Sequence, residues 1–287
     1  MGVTLIDDDA SRGRKPRALI VTIYGLYARE LGGWMSVASI IRLMAELGVD
    51  DPAVRSSISR LKRRGILEAQ KAGGIAGYAL SAHGRTILDE GDRRIFQRRQ
   101  ATLAEGWLLA VFSVPETERG KRHQLRSRLA WLGFGTVSAG VWIAPAHLLD
   151  ETTDVLERHG LAGYVDLFRG DHLAFAEITR QVLHWWDLTR LQGLYDDFLT
   201  RYGPMLADYR RRRSYDAQQA FVDYAGALTD WRRLPYSDPG LALEVLPPGW
   251  NGSRAAETFF GLQQRLAGPA HRFVDSVRGG DAGLLVR

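Results

Sequence analysis

Between Val54 and Lys71 the chain sets out cationic and hydroxyl side chains at spacings suited to contact with a nucleic acid duplex. Val54, Ile58 and Leu61 recur at i, i+4 and i+7, one buried stripe of a helix. Arg55, Ser56, Ser59, Arg60, Lys62, Arg63 and Arg64 therefore fall on or beside the opposite face. Guanidinium groups and hydroxyls on the first exposed turns can reach base edges, so Arg55, Ser56, Ser59 and Arg60 are the candidates for direct readout. Arg63, Arg64 and Lys71, with Ser36 upstream, are the candidates for phosphate contact. The competing reading of each is a solubilising surface group.

The elements that must hold these side chains are chemically marked. Asp50 and Asp51 precede Pro52, so a helix is predicted from about residue 52, with Asp51 as its N-cap and Gly65 as its end. Ile66 and Leu67 begin an extended run, Gly73, Gly74 and Gly77 form a flexible turn, and Tyr78 to Leu80 return as a strand, the pattern of a wing. Upstream, Leu19, Ile20, Ile23, Leu26 and Tyr27 predict a helix over Arg17 to Arg29 that Gly32 and Gly33 break. Ile40, Ile41, Leu43, Met44 and Leu47 predict a second over Met35 or Ser36 to Glu46, with Ser36 as its cap and Gly48 in the turn that follows. Residues 16–82 thus read as a winged helix-turn-helix module. Residues 1–15 read as a disordered arm, whose Arg12, Arg14 and Lys15, with Arg17 beyond it, either stay solvated or touch a groove.

Charge supports a localised contact. From Arg12 to Ala101 there are 17 Lys and Arg against 8 Asp and Glu, whereas Ala101 onward carries 21 basic and 22 acidic residues. A basic third on an otherwise neutral chain is the electrostatic footprint of a polyphosphate partner. The chain has 287 residues, enough for two or three domains, and 45% hydrophobic with 25% charged residues argues for compact domains rather than disorder. It has no cysteine, which excludes disulfides, thiolate nucleophiles and sulfur-ligated metals. The seven histidines include no i, i+4 pair, so neither a metal site nor a cofactor is expected. No nucleotide fingerprint, phosphate loop or Ser-His-Asp order appears, so no catalytic residue is assigned. No apolar run approaches the roughly 18 residues of a membrane span, and a cytoplasmic location is expected.

The remaining chain divides by pattern. Residues 83–105 read as a linker helix with Arg93, Arg94, Arg98 and Arg99 on its polar side, placed either to approach DNA or to pair with acids of the next domain. Residues 106–172 read strand (Trp107 to Pro115), helix (Lys121 to Leu132), strand pair (Val137 to Pro145), helix (Leu148 to His159), strand (Tyr164 to Gly170), the split βαβ order of a ferredoxin-like domain. Residues 173–287 read as a helical domain. It has a helix over Leu173 to Tyr202 ended by Gly203-Pro204, a basic loop at Arg210 to Arg213 and a helix over Asp216 to Arg232. An irregular proline-rich segment, Leu234 to Trp250, and a last helix over Ala255 to Val277 follow. The whole is an α+β chain. Trp185, Trp186, Trp231, Tyr236 and Trp250 are core aromatics or the wall of an aromatic pocket. Arg232 and Arg233 either anchor the proline-rich segment through Asp238 or bind an acidic group of a ligand.

Four stretches carry a family resemblance: PRALIVTIYG (Pro16 to Gly25), VRSSISRLKRRGIL (Val54 to Leu67), GDRRIF (Gly91 to Phe96) and RRLPYSDPGLALEVLPPGWNG (Arg232 to Gly252). With these the chain resembles the PaaX family of bacterial repressors of phenylacetic acid degradation genes. The resemblance implies a winged helix, a central ferredoxin-like domain similar to a CRISPR-associated nuclease, and a helical C-terminal domain. It also implies double-stranded operator DNA as partner, a homodimer, and release by a small-molecule effector such as phenylacetyl-CoA or another acyl-CoA. Arg232, Arg233, Tyr236 and Trp250 are the effector-binding expectation. The alternative is a metal-dependent nuclease built on the central domain. Such nucleases use an acidic residue at the end of the first strand, and here that strand ends Phe112-Ser113-Val114-Pro115 with Glu116 only after the proline.

Overall fold

The computed structural model describes residues 15–97, 99–173, 175 and 177–282; residues 1–14 of the arm and Arg98 lie outside these described residues. In chain order the elements are α1 (Pro16–Ile23), β1 (Trp34–Ser36), α2 (Val37–Glu46), α3 (Asp51–Arg63), β2 (Leu67–Ala72), β3 (Ile75–Leu80) and α4 (Ala82–Phe96). Then come β4 (Trp107–Phe112), α5 (Arg119–Leu132), β5 (Gly135–Ser138), β6 (Val141–Pro145), α6 (Leu149–Arg158) and β7 (Val165–Gly170). The chain closes with α7 (Ile178–Trp185), α8 (Leu188–Arg211), α9 (Ala217–Trp231), α10 (Arg233–Ser237) and α11 (Gly252–Ala282). Helices and two small antiparallel sheets make an α+β chain. Among the described residues no helix is long and apolar enough to cross a membrane.

The chain forms two compact units, each assembled from separate stretches. One contains the described residues up to Arg93, Asp197–Arg232 and the residues from Arg254 on. Here α1 runs on through a π turn over Tyr24–Ala28 and a 3-10 turn over Arg29–Leu31. It stops where Gly32 and Gly33 take φ of 84° and 85°, a region costly for other residues. Asp50, in extended conformation, accepts the Ala53 N–H at 2.9 Å and is the N-cap of α3. The cap therefore lies one residue earlier than expected, with Asp51 the first helical residue. Ser36 caps α2 by accepting the Ser39 N–H at 2.9 Å. The three-stranded sheet has the order β1-β3-β2. Its turn is Gly73-Gly74 alone; Gly77 lies within β3, opposite Ser36 and Gln70, where a Cβ would strike the Met35 carbonyl and the Trp34 ring. β1 is an element beyond the sequence expectation, being three residues long.

The same unit takes its aromatic core from the last third of the chain. Trp231 stacks on Phe259 at 5.0 Å and packs on Phe198 at 5.5 Å, and the Tyr202 hydroxyl donates to Asp230 at 2.6 Å. α8 runs through Pro204 to Arg211 instead of stopping at Tyr202. Phe198 and Tyr202 before the proline and Leu206 and Tyr209 after it are all buried, and their burial outweighs the roughly 3 kcal/mol of a proline inside a helix. Arg210 and Arg211 consequently sit in the last turn of α8 rather than in a loop. α1 joins this core through a 2.8 Å hydrogen bond between the buried Thr22 and Thr229 hydroxyls.

The other unit contains Arg94–Asp196 and Arg233–Ser253. Its four strands lie antiparallel in the order β5-β6-β4-β7. Leu125, Leu129 and Leu132 of α5 and Val155 and Leu156 of α6 share one core with Leu108, Ala110 and Phe112 of β4, so both helices cover one face. α4 ends at Phe96, short of the expected 105; a capping box follows, in which Glu105 accepts the Thr102 N–H at 2.8 Å, and it starts only the turn Leu103–Glu105. The single helix expected over Leu173 to Tyr202 is two, α7 and α8. The proline-rich segment is less irregular than expected, since it contains α10 and a turn at Leu243–Val245. It is tied down by Ala101 donating to the Gly240 carbonyl at 2.8 Å and by Tyr195 donating to Asp238 at 2.5 Å.

Candidate nucleic-acid interface

α3 is an amphipathic helix whose buried side holds Val54, Ser57, Ile58 and Leu61. Arg55, Ser56, Ser59, Arg60, Lys62, Arg63 and Arg64 are all exposed. By helical spacing Arg55, Ser56, Ser59, Arg60 and Arg63 share the outer face. Arg55 is drawn back along the helix by Asp51, Nε to Oδ1 at 2.6 Å, with both side chains largely in solvent. Such a pair is weak and screened, so it steers the guanidinium without removing it from use. Lys71 is exposed near the end of β2, just before the Gly73-Gly74 turn. Ser36 is 1% exposed, and its hydroxyl takes the capping role rather than standing open on the surface.

Several contacts that the sequence does not announce hold this face. The Trp34 indole N–H donates to the Gln70 carbonyl at 3.1 Å, fastening β1 to β2 across the sheet. The Tyr24 hydroxyl donates to the Tyr78 carbonyl at 2.9 Å, and burial, with Tyr78 adding to it, pushes that phenol far above its ordinary range, so the donor stays protonated. Ser81 donates to the Gly65 carbonyl at the end of α3 and accepts the Gly84 N–H, joining α3 to the start of α4. Behind α3 lies an apolar cavity of about 10 Å³ lined by Ile20, Tyr24, Leu61, Ile66, Leu80 and Leu88. It holds at most one water and no ligand.

The effector expectation divides between the units. Arg232 belongs to the unit of α3 and donates to the Ala18 carbonyl at 3.2 Å. Arg233, Tyr236 and Trp250 belong to the other, where Tyr236 packs on Trp131 at 5.9 Å and Trp250 on Tyr195 at 5.6 Å. Trp231 is core, and Trp185 and Trp186 both pack on Trp107. Arg94 of α4 pairs with Glu151 at 2.9 Å, the acid-pairing role among its two readings. Glu116, whose side chain is 77% exposed, pairs with Arg122 at 2.8 Å just after the end of β4. Among the described residues no three His, Asp or Glu cluster to hold a metal ion.

Family models match most of this architecture. One described as PaaX-like protein matches residues 15–84, the PaaX protein central Cas2-like domain matches 100–182, and the PaaX-like protein C-terminal domain matches 186–276. The chain belongs to the PaaX-like family. Transcriptional repressor PaaX of Escherichia coli (strain K12) is 25% identical over 267 residues, covering 90% of this chain and 82% of that protein. That relative is a regulator, and the PaaX-like family is one of regulators rather than enzymes. An uncharacterized protein from Mycobacterium tuberculosis superposes with a TM-score of 0.57 at 21% identity, covering 88% of this chain and 99% of its own, which shows a shared fold. The stretch Val54 to Leu67, which carries part of the resemblance, spans most of α3 and its exit into β2. The stretch Arg232 to Gly252 contains the Asp238 and Gly240 ties, so part of its spacing is architectural.

Proposed function

We propose that the chain is a transcriptional repressor that binds double-stranded operator DNA as a homodimer and releases it on binding a small-molecule effector. The exposed row on α3, with its capped start and apolar seat, carries this reading. Two helices joined by a four-residue turn, followed by an antiparallel ribbon, support a winged helix-turn-helix over 16–82. In that arrangement α3 enters the major groove, Arg55, Ser56, Ser59 and Arg60 face base edges, and Arg63, Arg64 and Lys71 grip phosphate. The strand order of the four-stranded sheet supports a ferredoxin-like module over 106–172, joined by residues 83–105 and followed by the helical part from 173. The effector is an aryl- or acyl-CoA thioester such as phenylacetyl-CoA. The nuclease alternative is disfavoured by the repressor relative and by a first strand that ends without a carboxylate, Glu116 following only after Pro115.

The test is a gel shift with the protein's own promoter, challenged with a panel of acyl-CoAs. The expected result is a complex that one of them dissolves. Failure to shift any promoter fragment overturns the reading, and release by none of the panel removes its effector part.

A further inference from the structure

α5 carries a second concentration of positive charge, in the unit that does not contain α3. From Arg119 to Leu149 the sequence has no acidic residue at all, although the unit as a whole has 13 Lys and Arg against 14 Asp and Glu. Arg119, Lys121 and Arg122 fall in the first four residues of the helix. That end bears the positive pole of the macrodipole, where cations are unfavourable and anions are welcome. Glu118, at the cap position, makes no capping bond and accepts the Tyr164 hydroxyl instead. Glu116 pairs with Arg122; Arg119 and Lys121 make no ion pair among the described residues.

The arginines also line a space. Arg119, Arg122, His123, Arg126, Ser127 and Trp142 surround an open concavity of about 490 Å³. Arg119 and Arg126 are exposed and stand seven residues apart, roughly 10 Å along the axis. Arg122 is braced from below by donating to the Val114 carbonyl at 2.7 Å. Trp142 of β6 is 5% exposed, lies under Arg126 with the guanidinium carbon 6.0 Å from its ring centre, and has a buried indole N–H with no partner. A tryptophan at the floor and, along one helix, the exposed Arg119 and Arg126 with no acidic partner among the described residues fit one chemistry: phosphate groups carried by a small molecule with a planar ring.

We infer that the α5 concavity binds a phosphorylated, ring-bearing small molecule of nucleotide type, its phosphates along Arg119 and Arg126 and its ring against Trp142. The regulatory meaning of the site rests on the effector reading above; its chemistry rests on α5 and β6 alone. A duplex backbone is the poorer occupant, because the cations line a hollow rather than a projecting edge.

Isothermal titration of the full chain with ADP, inorganic pyrophosphate and adenosine tests this, alongside the Arg119→Ser/Arg126→Ser double variant. Both side chains are exposed, so the variant keeps its melting temperature. ADP binds the native chain more tightly than pyrophosphate, adenosine hardly binds, and the variant loses about tenfold or more in ADP affinity, the loss expected for charge-assisted contacts. Absence of ADP binding, or equal binding by the variant, overturns the inference. So does a variant that loses promoter binding as steeply as ADP binding, which makes the face a DNA contact. A native chain that binds ADP as expected but shifts no promoter supports the site while the repressor reading falls.

Discussion

Arg55 shows how a single residue is claimed twice, by Asp51 four residues back and by the partner the helix is proposed to meet. Because the pair is exposed, Arg55→Ala should change stability by no more than about 1 kcal/mol. Its expected effect is on DNA: sequence-specific binding falls far more than binding to bulk DNA, and equal loss in the two gel shifts moves Arg55 to the phosphate class. His147 offers a prediction on pH. Burial first, and then Arg99, hold its imidazole below the usual histidine range, partly offset by Glu105 and Glu151. The unfolded chain takes up a proton near the ordinary value of about 6.5, where folded His147 does not. The unfolded state then binds more protons, so stability contributed by neutral His147 is present above that value and is lost as pH falls through it towards the lowered folded value. Melting temperatures measured across this window should fall for the native chain and fall less for His147→Gln. At this scale burial is legible, since Val54, Ile58 and Leu61 repeat with helical period. Capping is legible only to within a residue, because Asp50 and Asp51 are the same side chain and backbone conformation chooses between them.

The elements depend on a few positions that a sequence marks faintly. Asp50→Ala removes the N-cap of α3 and should cost about 1 kcal/mol in denaturant unfolding, with Asp50→Asn close to native. Gly84→Ala tests a closer constraint, because its Cβ would meet the Ile66 carbonyl oxygen where α4 crosses the exit of α3. A measurable loss of stability is expected, and a neutral result shows that α4 shifts freely. Gly73-Gly74 is readable as a turn from composition, whereas Gly77 is not placed correctly, since nothing local distinguishes a loop glycine from one kept small by a facing tryptophan. Pro204 misleads for a related reason. Proline ends helices by local sterics, and only the buried aromatics on either side, which come into contact through distant parts of the chain, carry α8 past it. The α5 concavity is hidden from the sequence because the periodicity of its helix reports only the apolar stripe, and because Trp142 reaches it from a separate strand.

Across the whole molecule, sequence order and spatial order part company. Successive segments do not show that α8, α9 and α11 contribute to the unit of α1 and α3, since no periodicity records which helix a buried face will meet. A fragment of residues 15–96 leaves the α9-facing side of α1 and its π turn, with Thr22 and Tyr27, open to water. It should be markedly less stable than the full chain by thermal unfolding, and a fragment as stable as the full chain shows that α9 is dispensable. Charge survives as a legible property. Arg63→Ala/Arg64→Ala should weaken promoter binding and lower the slope of log affinity against log salt by about 0.9 for each phosphate left unneutralised.

The Thr22–Thr229 bond spans 207 residues. A ribosome adding roughly 5 to 20 residues each second releases α9 some 10 to 40 seconds after α1. Throughout that interval one side of the first helix has nothing native to cover it. A chain stopped before α9 therefore lacks the native cover of α1, and synthesis through residue 231 becomes a condition for the basic face to be held in its final form. Ribosome-stalled chains cut short before residue 217 should accordingly be far more protease-sensitive in residues 15–93 than chains released at full length.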